Sequence, residues 1–276
     1  MTKMRSETLH LFLLRCKESY ELVQGFLNDS LPWGKIPEKY HDYDFSEKIR
    51  SKTKENVRIS MDKLEIAIDG HDIKELAISY NGGKDCLVML ILLLAVIHKK
   101  FTVNGDINYS TLPLDFKFDS IYINSETPFT EVEDFINESS KYYQLNQITI
   151  KNSMKQGFEY YLNHINPNVK AIIVGIRYAD PYGENLQYEQ LTDSNWPKFT
   201  RIHPILHWNY NQVWDFLLGC DLKYCSMYDQ GYTSLGGVNN TIPNSKLQID
   251  NSEKFLPAYK LMENSDELER LGRLMK

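Results

Sequence analysis

The chain has 276 residues and a formal net charge of −6, and 42% of its residues are hydrophobic, 12% aromatic and 25% charged. A chain of this length can bury roughly 75% of its unfolded surface. The ordinary counts of 14 Gly and 10 Pro exclude a collagenous or low-complexity protein. The acidic balance argues against a protein that coats nucleic acid, but a few local cations can still hold a small anionic ligand.

The sequence predicts no membrane span and no secretion signal. Its longest apolar run, residues 87–97, is shorter than the roughly 20 residues that a bilayer requires, so we expect a buried helix there. The N-terminal residues carry charges throughout and lack an apolar core before a cleavage site, which favours a reducing, cytoplasmic location. The four cysteines have no metal-ligand spacing and are interpreted as buried free thiols: Cys16, Cys86, Cys220 and Cys225.

The first part of the chain predicts two helices. Apolar residues recur at helical spacing over residues 6–27, and a loop with two prolines follows over residues 28–44. The second helix starts near residue 45 and ends at Gly70, a residue type common at helix ends. We therefore expect residues 1–70 to form an N-terminal helical cap on an α/β domain of residues 71–276, in one compact unit.

From residue 71 onward, short β-rich runs alternate with helical runs. Strands are predicted at residues 76–79, 120–124, 147–150 and 171–176, and helices at residues 85–98, 130–143 and 153–165. This alternation is typical of a mostly parallel, doubly wound sheet with helices on both faces. Residues 177–204 show little periodicity and predict a long functional loop, which is followed by a helix near residues 209–219.

The sequence SYNGGKDC at residues 79–86 follows the first predicted strand and predicts a phosphate-binding loop. Ligands of parallel sheets bind beyond the carboxyl ends of strands, and two glycines let the backbone approach a phosphate closely. The helix behind the loop adds the positive field of its N-terminus. The segment is not a Walker A loop, because Ile78 stands where a glycine is needed and Asp85 follows the lysine. A tight turn without a ligand is the alternative.

This loop resembles the pyrophosphate-binding loop of the PP-loop ATPases and phosphoadenylylsulfate reductases, and most closely that of the eukaryotic FMN adenylyltransferases, or FAD synthases. Three later segments are similar to the same family in the same order: GIRYADPYGENLQYEQLTDSNWPKFTRIHPIL at residues 175–206, GYTSLGGVNNTIP at 231–243, and PAYKLMENSDELERLGR at 257–273. The resemblance covers about residue 74 to the C-terminus. It implies a PP-loop, adenine nucleotide alpha hydrolase-like fold with a C-terminal helical extension, in which residues 71–276 bind nucleotide and flavin.

The resemblance implies transfer of AMP from ATP to FMN, giving FAD and pyrophosphate, with Mg²⁺ as the metal. The FMN phosphate is already anionic at neutral pH, so the protein has to align two phosphates and neutralise charge rather than remove a proton. No Ser-His-Asp or Cys-His set is therefore required. The expected partners are the small-molecule substrates, without nucleic acid or membrane, and the expected state is a monomer.

Site residues are expected first at the phosphate loop. The resemblance implies that the amides around Asn81 cradle the ATP phosphates and that Asp85 reaches Mg²⁺, although a carboxylate there also suits the first turn of a helix. The Lys84 side chain can point either to the phosphates or to solvent. The loop residues assigned to nucleotide binding are Ser79, Tyr80, Asn81, Gly82, Gly83 and Lys84, of which Asn81 is also assigned to catalysis with Asp85.

Two further groups of site residues follow later strands. Topology places Asn124 and Glu126 beside an adenosine pocket, or else in a plain strand-to-helix connection. Gly175 lies in the fourth predicted strand and Arg177 follows that strand directly, where an arginine can bind phosphate through two hydrogen bonds or pair with Asp180 or Glu184.

The resemblance places the segment from Asp180 to Arg201 on the flavin side. There Asp193 can accept a hydrogen bond from an isoalloxazine N–H. Asp180 either contacts the ligand or only orders the loop, because Asp-Pro commonly starts a turn. Trp196 either stacks on the flavin or packs in the protein.

Arg270 and Arg273 lie three residues apart on a predicted C-terminal helix and so project from one face. The residues alone favour a solvated face shared with Glu267 and Glu269. The match of ERLGR to the family's Glu-Arg-x-Gly-Arg instead implies that both arginines bind phosphate near the site of transfer.

Two other functions share parts of this pattern. A phosphoadenylylsulfate reductase-like enzyme has the loop but needs a nucleophilic cysteine near the C-terminus, whereas the last cysteine here is Cys225. A non-catalytic flavin or nucleotide sensor would keep the fold without turnover. Incubation with FMN, ATP and Mg²⁺ distinguishes an enzyme from a sensor.

Overall fold

A six-stranded sheet forms the centre of the molecule, in a computed structural model that describes residues 2–103, 106–107, 112–113, 116–250 and 252–274. The strands are β1 Leu76–Ser79, β2 Thr102–Val103, β3 Asp106–Ile107, β4 Asp119–Asn124, β5 Asn146–Lys151, β6 Ala171–Val174, β7 Glu189–Leu191 and β8 Thr200–Ile202. The helices are α1 Thr2–Asn28, α2 Glu47–Gly70, α3 Lys84–Phe101, α4 Thr130–Tyr142, α5 Met154–Tyr160, α6 Tyr210–Gly219 and α7 Ser265–Leu268.

The order of strands in the large sheet is β5-β4-β1-β6-β8-β7, and β2 and β3 form a separate antiparallel pair. β1 pairs in parallel with β4 on one side and with β6 on the other. Of the described strands in this sheet, only the edge strand β7 runs antiparallel. The chain leaves β1 in one direction and returns to its other side at β6, so the sheet has a switch point at the carboxyl ends of β1, β4 and β6. Ligands of doubly wound sheets bind at such a point.

Helices cover both faces of the sheet, as expected from the alternation of elements. The larger hydrophobic cluster contains buried residues of α1, α2, α3, α4 and α6. The smaller cluster combines strand residues with Phe158 of α5 and Tyr161 of the π-helical turn that follows. α3 is buried at every residue from Leu87 to Ile97 and packs against α1, α2 and α6. The two N-terminal helices therefore share a core with the helix that follows the phosphate loop.

Most of the predicted elements are confirmed, and two predictions are corrected. The stretch 177–204 contains β7 and β8, which have only three residues each and show no alternation that could be recognised. The prediction of a C-terminal helix through Arg270 and Arg273 is wrong, because α7 ends at Leu268. Both arginines lie beyond it, where the Ile242 N–H donates a hydrogen bond to the Gly272 carbonyl at 2.9 Å. This pairing holds the backbone out of a helix.

The prediction for the cysteines is confirmed. The four cysteines are free and buried. Among the described helices, none combines the length and the apolar character needed to cross a membrane.

Candidate active site

A cavity of about 390 Å³ opens at the carboxyl ends of β1, β4 and β6. One side is the phosphate loop, residues 79–86, with the start of α3. The other side is formed by residues 234–237 and 269–273 of the C-terminal segment, the name used here for residues 231–250 and 252–274. Ten of the residues that the sequence predicted for the site line this cavity: Asn81, Gly83, Lys84, Asp85, Asn124, Glu126, Gly175, Asp180, Arg270 and Arg273.

The phosphate loop is held in shape by its own hydrogen bonds. Gly82 has a φ of 70°, in the left-handed region that favours glycine. The Gly83 N–H donates to Asn81 Oδ1 at 3.0 Å, and the Lys84 N–H donates to the Tyr228 hydroxyl at 2.9 Å. A phosphate would therefore reach the Gly83 amide by displacing the Asn81 side chain.

Three predicted residues support the loop from behind rather than line the cavity. The buried Tyr80 hydroxyl donates to Ser139 Oγ of α4 at 2.9 Å. A Cβ on Gly82 would lie 2.7 Å from Ile136 Cγ1 of the same helix. Ser79 is the last residue of β1 and continues the parallel pairing to β4 and β6. These contacts fix where the loop leaves the sheet.

Lys84 points into the protein and not to solvent. Its side chain is 1% exposed, and its Nζ lies 3.0 Å from Asp85 Oδ2 and also contacts Glu269 Oε1. The Tyr210 ring lies 5.1 Å from the same nitrogen. Burial alone would lower the pKa of Lys84, but the charges of Asp85 and Glu269 raise it above its ordinary value. Lys84 is therefore charged and already neutralised by protein carboxylates.

Arg177 is also buried and does not line the cavity, so its expected contact with a phosphate stays a prediction. Its backbone N–H donates to Asp180 Oδ2 at 2.8 Å, and its guanidinium, 0% exposed, turns inward among carboxylates. The ion pair with Asp180 that the sequence left open is present at 3.7 Å. Nε lies 2.8 Å from Asp85 Oδ1, Nη1 lies 3.3 Å from Asp266 Oδ1, and Nη2 contacts Glu269 Oε2.

These contacts define a buried charge cluster in which carboxylates outnumber cations: Lys84, Asp85, Arg177, Asp180, Asp266 and Glu269. Burial opposes the charge of Asp85, yet Arg177 and Lys84 together hold its pKa below the ordinary value. Burial raises the pKa of Asp180 despite the neighbouring Arg177. The cluster has no surplus positive charge for a phosphate, which must come from elsewhere in the cavity.

Arg270 and Arg273 supply that positive charge. Arg270 is exposed, Arg273 is half-buried, and none of the ion pairs within the described residues includes either of them. The Arg273 Nη1 donates to the Leu235 carbonyl at 2.8 Å. Burial and then the charge of Arg270 lower the pKa of Arg273, and the charge of Glu126 on the same cavity opposes this shift without cancelling it.

Glu126 has a role that the sequence did not indicate. It lines the cavity as predicted, but its carboxylate also holds the C-terminal segment. Oε2 accepts a hydrogen bond from the Gly237 N–H at 3.1 Å, and Oε1 accepts one from Asn240 Nδ2 at 2.6 Å. The end of β4 is thereby joined to the glycine-containing turn on the opposite side.

The sequence does not predict the positions of two residues of the site. It favours a solvated face for Glu269, whereas Glu269 is 4% exposed and contacts both buried cations. Tyr228 is one of 18 tyrosines, and its hydroxyl accepts a hydrogen bond from the first N–H of α3. The available signal for Glu269 was its place in the ERLGR match. Nothing in the sequence around Tyr228 marks its role.

Three predicted flavin residues lie outside the cavity, on and between β7 and β8. The Asp193 side chain is exposed and lies 3.6 Å from Arg201 Nη2. Trp196 packs against the smaller hydrophobic cluster, which includes Phe199. The structure thus gives Trp196 the packing role that the sequence left open.

Comparisons with known proteins identify the family of this chain. Residues 75–243 match the family model described as "Phosphoadenosine phosphosulfate reductase domain". The chain is 40% identical over 215 residues to a protein of Schizosaccharomyces pombe named "Probable FAD synthase", covering 78% of this chain and 77% of that protein. It is 34% identical over 235 residues to the "Flavin adenine dinucleotide synthase" of Saccharomyces cerevisiae, covering 80% and 76%. The fold matches the crystal structure of Candida glabrata FMN adenylyltransferase in complex with FAD and inorganic pyrophosphate, with a TM-score of 0.80, 28% identity, and coverage of 96% of this chain and 98% of that chain.

Proposed function

The chain belongs to the FAD synthases of the phosphoadenosine phosphosulfate reductase domain family, and we propose that it is an FMN adenylyltransferase that joins ATP and FMN to give FAD and pyrophosphate. One observation carries the proposal. A glycine loop and two arginines that form no ion pair among the described residues line the same cavity of about 390 Å³. The loop suits the phosphates of ATP, and the arginines suit the charge that develops on the leaving pyrophosphate.

The reaction needs no general base. An oxygen of the FMN phosphate attacks the α-phosphorus of ATP, and the bond from that phosphorus to the oxygen bridging to the β-phosphorus breaks. The second pKa of a phosphate monoester is about 6, so the nucleophile is largely ionised at neutral pH. The electron pair of the broken bond leaves with pyrophosphate. The task of the protein is to bring the two phosphates together and to stabilise charge.

We assign these tasks to different residues of the cavity. Asn81 and the Gly83 amide bind the phosphates of ATP, and Arg270 and Arg273 neutralise the departing pyrophosphate. Asn124 and Glu126, at the end of β4, border the adenosine. Lys84 and Arg177 contribute through the buried charge cluster, which sets the position of Asp85 beneath the phosphates.

We also propose that the substrates enter with Mg²⁺. Within the described part of the chain, no three acidic, histidine or cysteine side chains form a metal site. Mg²⁺ is commonly held by one or two carboxylates together with substrate phosphates and water, and Asp85 fits this role. Its side chain is 19% exposed, and its Oδ1 lies close to Arg177 without accepting a hydrogen bond. Asp85, with Asp180 on the same cavity, would hold the ion, which when bound reduces the repulsion between the phosphates.

The flavin ring belongs, in this proposal, at the side of the cavity formed by Gly175, Ile176 and Asp180. The chain runs from there to β7 and β8, so Asp193, Trp196 and Arg201 would lie at the periphery of the ring. The four buried free thiols suit a reducing compartment, and we propose the cytoplasm. We further propose a monomer that binds neither nucleic acid nor membrane.

An assay of the full chain with FMN, ATP and Mg²⁺ tests the function. We expect FAD and pyrophosphate in equal amounts, separated and quantified by chromatography and a coupled phosphate assay. Asp85→Asn should lower turnover by about 100-fold or more, because it removes a charge placed at the reacting phosphates. Asp134→Asn makes the same change on the exposed face of α4 and should stay within about twofold of the wild type. Binding of FMN without any FAD would contradict the proposal.

A further inference from the structure

Glu269 is the point at which the C-terminal segment is attached to the phosphate loop. Its two carboxylate oxygens contact different cations, Lys84 Nζ from the start of α3 and Arg177 Nη2 from the end of β6. Its backbone is fixed as well. The Glu269 N–H donates to the Ser265 carbonyl at 2.8 Å, and the Glu269 carbonyl accepts the Thr233 hydroxyl at 2.6 Å. Every polar group of this residue therefore has a partner in the protein.

The next residue, Arg270, is exposed where Glu269 is buried. Its side chain is exposed in the cavity, and no ion pair holds it within the described chain. Its carbonyl accepts the Arg273 N–H at 2.9 Å, which forms the turn that brings both arginines to the same side. The direction of the Arg270 side chain is therefore set by its backbone, and that backbone is anchored one residue earlier by Glu269.

We propose that Glu269 is a positioning residue for adenylyl transfer, which locks the backbone so that Arg270 points at the phosphates. This inference rests on the proposed function and adds a residue to it. A buried ion pair gives little net stability compared with an apolar substitute, so stability alone is a weak reason for burying this carboxylate. A fixed distance between the phosphate loop and Arg270 is a stronger one, because small misplacements of a charged group reduce transfer rates severely.

The test compares two isosteric substitutions on neighbouring turns of the chain. Glu269→Gln keeps the size of the side chain but removes the charge between Lys84 and Arg177. Glu267→Gln makes the same change on an exposed residue of α7. We expect Glu269→Gln to lower kcat by about 100-fold, with smaller changes in the KM values for ATP and FMN, and Glu267→Gln to stay within about twofold.

A double-mutant cycle separates positioning from general damage to the protein. If Glu269 acts through Arg270, then Glu269→Gln should cost less than about threefold in an Arg270→Ala background, because the group to be positioned is already gone. A loss of the same size in both backgrounds would overturn the proposal. Wild-type turnover in Glu269→Gln would overturn it too, while leaving the proposed function intact.

A second readout does not depend on activity. Amide hydrogen exchange over residues 264–274 of the ligand-free protein should be faster in Glu269→Gln than in Glu267→Gln, with exchange over α3 unchanged. Should the wild-type chain make no FAD, the proposed function fails, and this measurement still decides whether Glu269 fixes the segment. Equal exchange in the two variants would show that it does not.

Discussion

The two sides of the cavity are built in different ways. The phosphate loop lies between β1 and α3, and its shape follows from a left-handed glycine, a hydrogen bond within the loop and one contact from outside, the Tyr228 hydroxyl. The C-terminal segment has almost no regular structure around Arg270 and Arg273, and its position depends on contacts with distant elements: Glu126 after β4 accepts a hydrogen bond from it, and its own Glu269 contacts Lys84 of α3. A loop between regular elements can be shaped locally, whereas an irregular segment needs tertiary contacts to hold a charge in place.

Removal of the Arg177 side chain should have the largest effect on stability and on FAD formation, because this residue contacts both sides of the cavity. Arg177→Met keeps much of the apolar volume but removes one of the two cations that Asp85 and Glu269 share, which leaves both carboxylates to Lys84 alone. Loss of one partner from a buried ion pair costs about 3–5 kcal/mol. We expect a decrease of this size in the free energy of unfolding, measured by urea denaturation, together with loss of FAD formation.

Arg58→Ala is the matched control, because Arg58 is exposed on α2 and forms no ion pair with another described residue. It should change the free energy of unfolding by less than about 0.5 kcal/mol. If Arg177→Met were as stable as Arg58→Ala, the cluster would not join the two sides.

One glycine on each side of the cavity can be replaced by alanine: Gly82 in the phosphate loop and Gly236 in the C-terminal segment. The two variants should differ, because the first side depends on its local backbone shape and the second on tertiary contacts. Gly82→Ala forces a left-handed backbone on alanine and places its Cβ against Ile136, so it should lower the free energy of unfolding by about 1–3 kcal/mol. The Cβ of Gly236→Ala meets the guanidinium of Arg273, which is the flexible end of a side chain, and the hydroxyl of Thr241. It should lower kcat by about tenfold while changing the free energy of unfolding by less than about 1 kcal/mol.

Thermal unfolding and steady-state kinetics, measured on the same preparations of Gly82→Ala and Gly236→Ala, give the change in stability and the change in kcat. A large loss of stability in Gly236→Ala, with normal kinetics in the remaining folded protein, would contradict the distinction between the two sides.

The smallest expected effect concerns Asp180, in the loop after β6 and outside both sides. Burial raises its pKa in the folded protein above the ordinary value of 3.8, so the folded state holds a proton that the unfolded state has lost. From about pH 4 upward, stability should therefore fall until the raised pKa has been passed. Asp180→Asn removes this contribution, and its free energy of unfolding should depend less on pH over that window. The same slope in both proteins would mean that Asp180 titrates normally.

The regular part of the fold could be predicted from the sequence because its signals are local. The apolar run of α3, the strand residues of β1 and β6, and the glycines between β1 and α3 each show their role within a few neighbouring residues. The same applies to the loop, where the left-handed position falls on Gly82.

The rest of the candidate site could not be predicted, because its side chains contact residues that are far away along the chain. Arg177 at the end of a strand looks the same in sequence whether it faces a ligand or a carboxylate, and its partners Asp85 and Glu269 lie 92 residues away on either side. The path of residues 269–273 could not be predicted as non-helical, because the competing hydrogen bond comes from Ile242. The motif resemblance identified these residues, but only the structure gives their orientation.

The contact between Lys84 and Glu269 also has a consequence for the order in which the protein is made. The two residues are 185 positions apart. On a ribosome, β1, β4 and β6 can emerge and pair long before residue 269 is translated, since domains commonly begin to fold during synthesis. The contact that attaches the C-terminal segment to the phosphate loop can therefore form only after residue 269 has been added, and until then Lys84 and Arg177 lack one of the carboxylates that they finally contact.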